Sequence, residues 1–297
     1  MSPPRCFSFA SIFCLGLPLS VLLAMSSMAQ AQKQASCTFT FFQFTRFQPL
    51  NQPTGINDWG TVVGDGGSSG FIRYVGGGGF IYYKIPNASE TFFSDRNNQG
   101  ISIGSYTSGS QFQTGFVLNK SRSSFTSIVH PKSVSGSFGT ALARINKWNT
   151  IVGWYGDAQN IVHGFKRFSN GSFLALDFPA GQGTFLSGLN DNGMIVGSSG
   201  GHGVIYYKGK WAMLDYPKAQ VTTLGGISNS GMIIGTAEMP NQFSPTAFLY
   251  RNGVFKVISV PNVRETEVTG ISPKLGLITG DTRDFNGNPQ GFIANCN

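Results

Sequence analysis

The chain carries three histidines, His130, His163 and His202. His163 and His202 precede a glycine, in His-Gly-Phe and His-Gly-Val, at equivalent places in adjacent copies of a repeat. Two imidazoles on one rim could hold a metal ion if a third ligand came from the b–c loop that His163 closes, where Asp157 is nearest. The plainer reading gives each ring to its own repeat, with a nitrogen satisfying loop backbone. That reading is adopted, and no metal or cofactor is expected. Gly66-Gly67-Ser68-Ser69-Gly70 and Gly197-Ser198-Ser199-Gly200-Gly201 both fit G-x-S-x-G. A nucleophile on that motif needs a strand-to-helix elbow, and neither stretch leads into a helix. Asp284-Phe285-Asn286-Gly287-Asn288 opens like a calcium loop but lacks the glycine and terminal glutamate in register. Paired carboxylates are scarce, and Asp177 and Asp215 fall on outer strands, far from the axis. No catalytic residue is assigned, and an enzyme is the less favoured reading.

The elements that would position these residues come from a repeat. The residue after a first apolar burst is Asn57, Asn97, Asn146, Asn190, Ser228 and Ser272. A glycine closes each second burst, at Gly64, Gly104, Gly153, Gly197, Gly235 and Gly280. A small–aromatic pair opens a third: Gly70-Phe71, Gly115-Phe116, Gly164-Phe165, Ala247-Phe248 and Gly291-Phe292, with Gly203-Val204 departing. Each unit reads as four strands, a to d, with Asn-Gly supplying the positive φ angles of a two-residue a–b hairpin. A four-stranded sheet of this length cannot bury both faces alone, so it stacks on its neighbours around an axis. The expected fold is all-β, a six-bladed β-propeller over residues 32–297.

Prolines count the blades. Pro86, Pro131, Pro179, Pro217 and Pro261 follow the d strands of blades one to five, and Pro49 precedes the first repeat. Proline lacks an N–H and suits an edge strand, which is where d lies. The last repeat stops after strand c at GFIANCN. The N-terminal TFTFFQFTRFQ therefore supplies its strand d and closes the ring. Cys37 and Cys296 would then face each other, so a disulfide is expected.

The units LDFPAGQGTFLSGLNDNGMIVGSSGGHGVIYYKG and GISNSGMIIG…TAFLYRNGVF resemble the bacterial extracellular repeats called the HAF family, after a His-Ala-Phe tripeptide. The resemblance spans residues 38 to 294, with the tripeptide histidine kept only at His163 and His202. It implies a propeller-like period and export from a bacterium, and no reaction.

The N-terminus reads as a signal peptide over residues 1–31: a basic MSPPR, an apolar stretch broken by Pro18, and Ala29-Gln30-Ala31 as the cleavage site. A secreted, extracellular or periplasmic chain follows, with no membrane span after cleavage. The net charge of +8 is scattered, so a nucleic-acid partner is not expected. What remains is a binding surface. The b–c loops carry Tyr106, Phe112, Trp154, Tyr155, Phe243 and Phe285. Flat rings with polar neighbours suit sugars or a protein partner. Trp154 and Tyr155, placed just past strand b, with His163 and His202 closing adjacent loops, form the expected site. The function read from the sequence is an exported, non-catalytic binding or scaffold module for a polysaccharide, a cell-envelope component or a protein. The alternatives are a secreted propeller hydrolase or lyase acting on glycans, and a purely structural surface repeat.

Overall fold

The computed structural model describes residues 33–44, 52–76, 79–108, 113–134, 137–179 and 183–296. The proposed signal peptide, Pro49 and Phe112 lie outside them. In chain order the strands are β1 (Lys33–Gln34) and β2 (Cys37–Phe42), then the six blades. Blade 1 is β3 (Gln52–Ile56), β4 (Val62–Asp65), β5 (Gly70–Arg73) and β6 (Phe80–Tyr83). Blade 2 is β7 (Glu90–Arg96), β8 (Ser102–Thr107), β9 (Thr114–Leu118) and β10 (Phe125–Ile128). Blade 3 is β11 (Thr140–Ile145), β12 (Ile151–Gly156), β13 (Val162–Arg167) and β14 (Phe173–Ala175). Blade 4 is β15 (Thr184–Leu189), β16 (Ile195–Ser199), β17 (His202–Tyr207) and β18 (Lys210–Met213). Blade 5 is β19 (Val221–Ile227), β20 (Ile233–Glu238), β21 (Thr246–Arg251) and β22 (Val254–Val257). Blade 6 is β23 (Glu265–Ile271), β24 (Ile278–Arg283) and β25 (Pro289–Cys296), completed by β2. All pairs within blades are antiparallel, and the fold is a six-bladed β-propeller.

The repeated glycine and phenylalanine are two halves of one contact. Phe71, Phe116, Phe165, Phe248 and Phe292 are wholly buried. A Cβ on Gly64 would stand 2.7 Å from the Phe71 ring, and one on Gly280 would stand 2.7 Å from Phe292. The glycine of strand b thus leaves room for the aromatic ring of strand c. Burying each such ring is worth roughly 1.5–3 kcal/mol.

The a–b turns differ from the expected two-residue hairpins. Asn57 N–H donates to Thr61 O, and Gly60 N–H donates back to Asn57 O. Only the turn's penultimate residue has a positive φ: Gly60 at 69°, Gly100 at 84°, Asn149 at 58° and Gly193 at 81°. This is a type I turn followed by a left-handed residue, a three-residue loop. The leading asparagine is a cap rather than a conformational device. Asn57 Oδ1 accepts from Trp59 and Thr61 N–H. Its amide donates to Asn97 O of the next blade at 3.4 Å. The same bond runs from Asn97 to Asn146 O, Asn146 to Asn190 O and Asn190 to Ser228 O. A belt of side chains therefore ties successive blades together on the turn face.

The prolines also play a different part. Each lies beyond the end of strand d, in the d–a turn. Ala88 N–H donates to Ile85 O around Pro86, and Ala219 N–H to Tyr216 O around Pro217. Asn87, Lys218 and Asn262, each following a proline, have φ of 63°, 65° and 60°. These are type II turns with proline at the second position, where its fixed φ fits.

Ring closure follows the expected pairing. β2 pairs antiparallel with β25 from Cys37↔Cys296 to Phe42↔Gly291, and the disulfide joins Cys37 to Cys296 across 259 positions. A second tie was not read from the sequence. β1 pairs in parallel with β22, so residues 33–42 run from the outer edge of blade 5 to that of blade 6. Among the described residues, no helix is long and apolar enough to cross a membrane.

Candidate functional site: the central funnel

Every innermost strand carries a β-bulge, between Pro53/Gly55, Phe93/Asp95, Leu142/Arg144, Leu186/Gly188, Leu224/Gly226 and Val268/Gly270. The unpaired residues are Thr54, Ser94, Ala143, Ser187, Gly225 and Thr269. Several of their hydroxyls donate to neighbouring carbonyls, Thr54 to Phe93 O at 2.7 Å, Ser94 to Leu142 O at 2.5 Å, and Ser187 to Leu224 O. The next residue round the ring reads Gly55, Asp95, Arg144, Gly188, Gly226 and Gly270. Four glycines pack backbone on backbone: a Cβ on Gly188 would lie 2.9 Å from Gly226 Cα. Arg144 fills the space they leave. Its guanidinium donates to Ser94 O at 3.2 Å, Ala143 O at 2.9 Å, Gly225 O at 3.2 Å and Thr269 O. One side chain thus binds the backbone of four blades and closes the channel.

Above this plug, on the b–c and d–a loop face, lies a funnel of about 440 Å³. Its wall includes Phe92, Gln113, Trp154, Thr236 and Glu267, with Arg144 at the floor. Below the plug only about 30 Å³ remains. The open end is therefore on the face that the loop aromatics indicated, but the residues differ.

Trp154 and Tyr155 both belong to β12, not to a loop. Gly153 does not end the strand; it admits the Phe165 ring, 3.0 Å from where its Cβ would be. Alternation then sends the two side chains to opposite faces. Trp154 is half-buried on the funnel wall, its ring edge-on to Phe185 at 5.5 Å. Tyr155 is 2% exposed, stacked between His130 at 3.7 Å and His163 at 5.1 Å, and is a core residue. Tyr106 is half-buried against Phe116 and Phe125, with its hydroxyl on Ser127 Oγ. Phe243 is fully exposed on the b–c loop of blade 5 and is not part of the funnel wall.

His163 and His202 lie within strands, and their partners are carboxylates rather than loop backbone; His130 follows β10, and its Nδ1 accepts the Lys132 N–H at 3.2 Å, as expected of a ring that satisfies loop backbone. His163 Nδ1 is 2.9 Å from Asp177 Oδ2 and its Nε2 is 3.1 Å from Asp157 Oδ2. His202 Nδ1 is 2.8 Å from Asp215 Oδ2. The other oxygen of each partner accepts the following glycine, Gly164 N–H on Asp177 and Gly203 N–H on Asp215, both at 3.0 Å. One aspartate just beyond strand d thus clips both groups of the His-Gly pair. Partial burial pulls the His163 pKa down, and the Asp177 and Asp157 carboxylates outweigh it, leaving it above the usual value. Among the described residues, no group of three or more His, Cys, Asp or Glu is arranged to hold a metal ion.

Sequence reasoning missed the acids of blade 6. Glu267 on β23 is the direct cross-strand partner of Asp281 on β24. Side chains so paired on one face lie about 5 Å apart at Cβ. Burial and then the Glu267 charge push the Asp281 carboxyl up to about 7, with Arg283 and Gln52 opposing. Burial, followed by the Glu265 charge, raises Glu267 as well. Asp281 Oδ1 is buried with no hydrogen-bond partner among the described residues. The native state thus holds a proton here that the unfolded chain releases above about pH 4. Stability contributed by this site should fall as pH rises from about 4 to 7, by up to about 1.4 kcal/mol per unit, then level off. Asp281→Asn should flatten that slope in denaturant melts at pH 5, 6 and 7. A slope unchanged by the substitution would remove Asp281 as its source.

No family model and no curated protein matches the sequence. The fold does match solved structures. A streptogramin B lyase superposes with a TM-score of 0.53 at 12% identity, over 88% of this chain and 98% of that one. Virginiamycin B lyase from Staphylococcus aureus gives 0.53 at 9%, over 87% and 99%. AofleA from Arthrobotrys oligospora gives 0.53 at 12%, over 87% and 86%. At these identities the likeness is one of fold.

Proposed function

We propose that the chain is an exported, non-catalytic binding module that takes a carbohydrate chain end into the funnel, with Trp154 as its stacking platform. The observation that carries this reading is a half-buried indole on the wall of an open cavity, with Gln113, Thr236 and Glu267 supplying polar groups. Sugars present an apolar face for stacking and hydroxyls for hydrogen bonds, and such a wall answers both. Export is supported by the Cys37–Cys296 disulfide, since such bonds persist in oxidising compartments. It is also supported by the residues 1–31 signal and the resemblance to the bacterial HAF repeats. A glycan array probed with the secreted protein tests the reading. Trp154→Ala should lower binding to any positive glycan at least tenfold and leave the melting temperature within a few degrees. Unchanged binding would remove Trp154 from the site. The glycan-acting enzyme is the second reading, favoured by one observation. Glu267 lines the funnel, its pKa is raised by burial and then by the Glu265 charge, and with the buried Asp281 as its cross-strand partner it can exchange a proton with a bound substrate. Release of reducing ends or unsaturated sugars by the protein, abolished in Glu267→Gln, would replace the first reading with this one.

A further inference from the structure

The six a–b hairpins can be compared residue by residue. The last strand pair before the turn is Ile56↔Val62, Ile145↔Ile151, Leu189↔Ile195, Ile227↔Ile233 and Ile271↔Ile278 in five blades. In blade 2 it is Arg96↔Ser102. An aliphatic core pair has become a cation and a hydroxyl, at the same depth. Arg96 is only 5% exposed, and its guanidinium donates to Ser102 Oγ at 2.6 Å. A buried cation normally has a carboxylate partner, because burial without one costs several kcal/mol. Here it has none. All 13 acidic side chains lie among the described residues, and their ion pairs involve Lys147, His163 and His202.

Two further cations stand near Arg96. Burial lowers the Arg96 pKa most, Tyr74 opposes this, and the Arg122 charge lowers it further. Lys120 Cγ and Arg96 Nη2 approach the same point, 3.0 and 3.1 Å from where a Gly100 Cβ would stand. The Tyr74 hydroxyl, from blade 1, accepts from Arg122 Nη1 at 3.1 Å. The cluster lies between blades 1 and 2 on the turn face, across the molecule from the funnel. We propose that it is an anion site, binding a sulfate, phosphate or carboxylate group between Arg96 and Arg122. An oxyanion there supplies the missing counter-charge, relieves the repulsion between the two arginines and fits their planar donor forks. The exposed Lys120 adds a third charge at the entrance.

The full, oxidised chain is melted with sodium sulfate, sodium phosphate or a sulfated oligosaccharide, each against sodium chloride at equal ionic strength. At a concentration a hundredfold above Kd, the melting temperature should rise by about 5 °C. Arg122→Ala should weaken the effect at least tenfold. Arg96→Ile with Ser102→Ile recreates the aliphatic pair of the other blades, so it should fold and lose the response entirely. Tighter binding of the oligosaccharide than of the free ions would assign a glycan-borne anion, and equal affinity a free ion. No response beyond chloride, or a response that survives the double substitution, overturns the proposal.

Discussion

Replacing Arg144 with methionine is expected to cost about 3–5 kcal/mol, more than any other single change on the propeller axis. Four backbone carbonyls from blades 2, 3, 5 and 6 lose their donor at once. A methionine cannot replace these charged bonds, and a carbonyl left unsatisfied costs about 1–3 kcal/mol, less where water entering the funnel that these residues line can reach it. Asp95 is affected too. Burial pushes its carboxyl up, and the Arg144 charge holds it down. Its Oδ2 also accepts Ile145 N–H at 3.0 Å, which anchors the strand bearing Arg144. Without the cation the Asp95 pKa rises further, and the native state then holds a proton that the unfolded chain releases above about pH 4. The variant should therefore lose stability with rising pH more steeply than the parent. Denaturant melts at pH 5 and pH 8 read both effects. Adding Asp95→Asn should return part of the loss at pH 8. A single variant within 1 kcal/mol of the parent at both pH values would show that the plug is dispensable.

The architecture was legible because its signals are local and repeated. A turn residue and a strand-b glycine recur in six copies and a small–aromatic pair in five, and the glycine and the aromatic report a contact made within one blade. Closure was legible because the unpaired half-blade at one end matched the unpaired strand at the other, with Cys37 and Cys296 in register. What escaped was a matter of reading the right residue for the wrong reason. In the Asn192-Gly193 pair only Gly193 adopts the positive φ, and Asn192 donates its side-chain amide to Asn229 O of the next blade, while Asn190 caps the turn. Gly153 does not mark the end of strand b. Its purpose is to admit Phe165, so the strand runs on to Gly156 and turns Tyr155 into the core.

The site was less legible, because its members come together only through pairing across blades. Trp154, expected on a loop, lies on strand β12 at the channel wall. Glu267 and Asp281 are fourteen positions apart, and only the bulged β23–β24 register makes them partners. A usable signal did exist. At the position after each bulge four copies have glycine and two have Asp95 and Arg144, and at the next position one copy has Arg96 where five have Ile or Leu. Departures from an internal repeat mark where a charge has entered a space built for something smaller or apolar.

Opening the Cys37–Cys296 bond should lower the melting temperature by about 10 °C without dissolving the fold. The entropy model assigns about 4–5 kcal/mol to a bridge closing so long a loop. For a domain of this size each kcal/mol is about 2–4 °C. The fold should persist because β2 keeps its backbone pairing with β25 over six residues. Phe39 also stays edge-on to the Phe292 ring at 5.5 Å, and Ala35 N–H stays on Val257 O at 2.8 Å. The same segment spans two blades, β1 on the edge of blade 5 and β2 on that of blade 6. Fraying that starts at Cys37 thus loosens both edges, and the loss should appear mainly as faster unfolding. Cys37→Ser with Cys296→Ser should reproduce the effect of reduction, which separates the bridge from any side reaction of the reductant. Unchanged far-ultraviolet circular dichroism with a lowered melting temperature is the expected pair of results. Loss of the β-sheet signal at 25 °C would mean that the bridge, and not the strand pairing, closes the ring. An unchanged melting temperature would mean that the two edge strands hold it closed unaided.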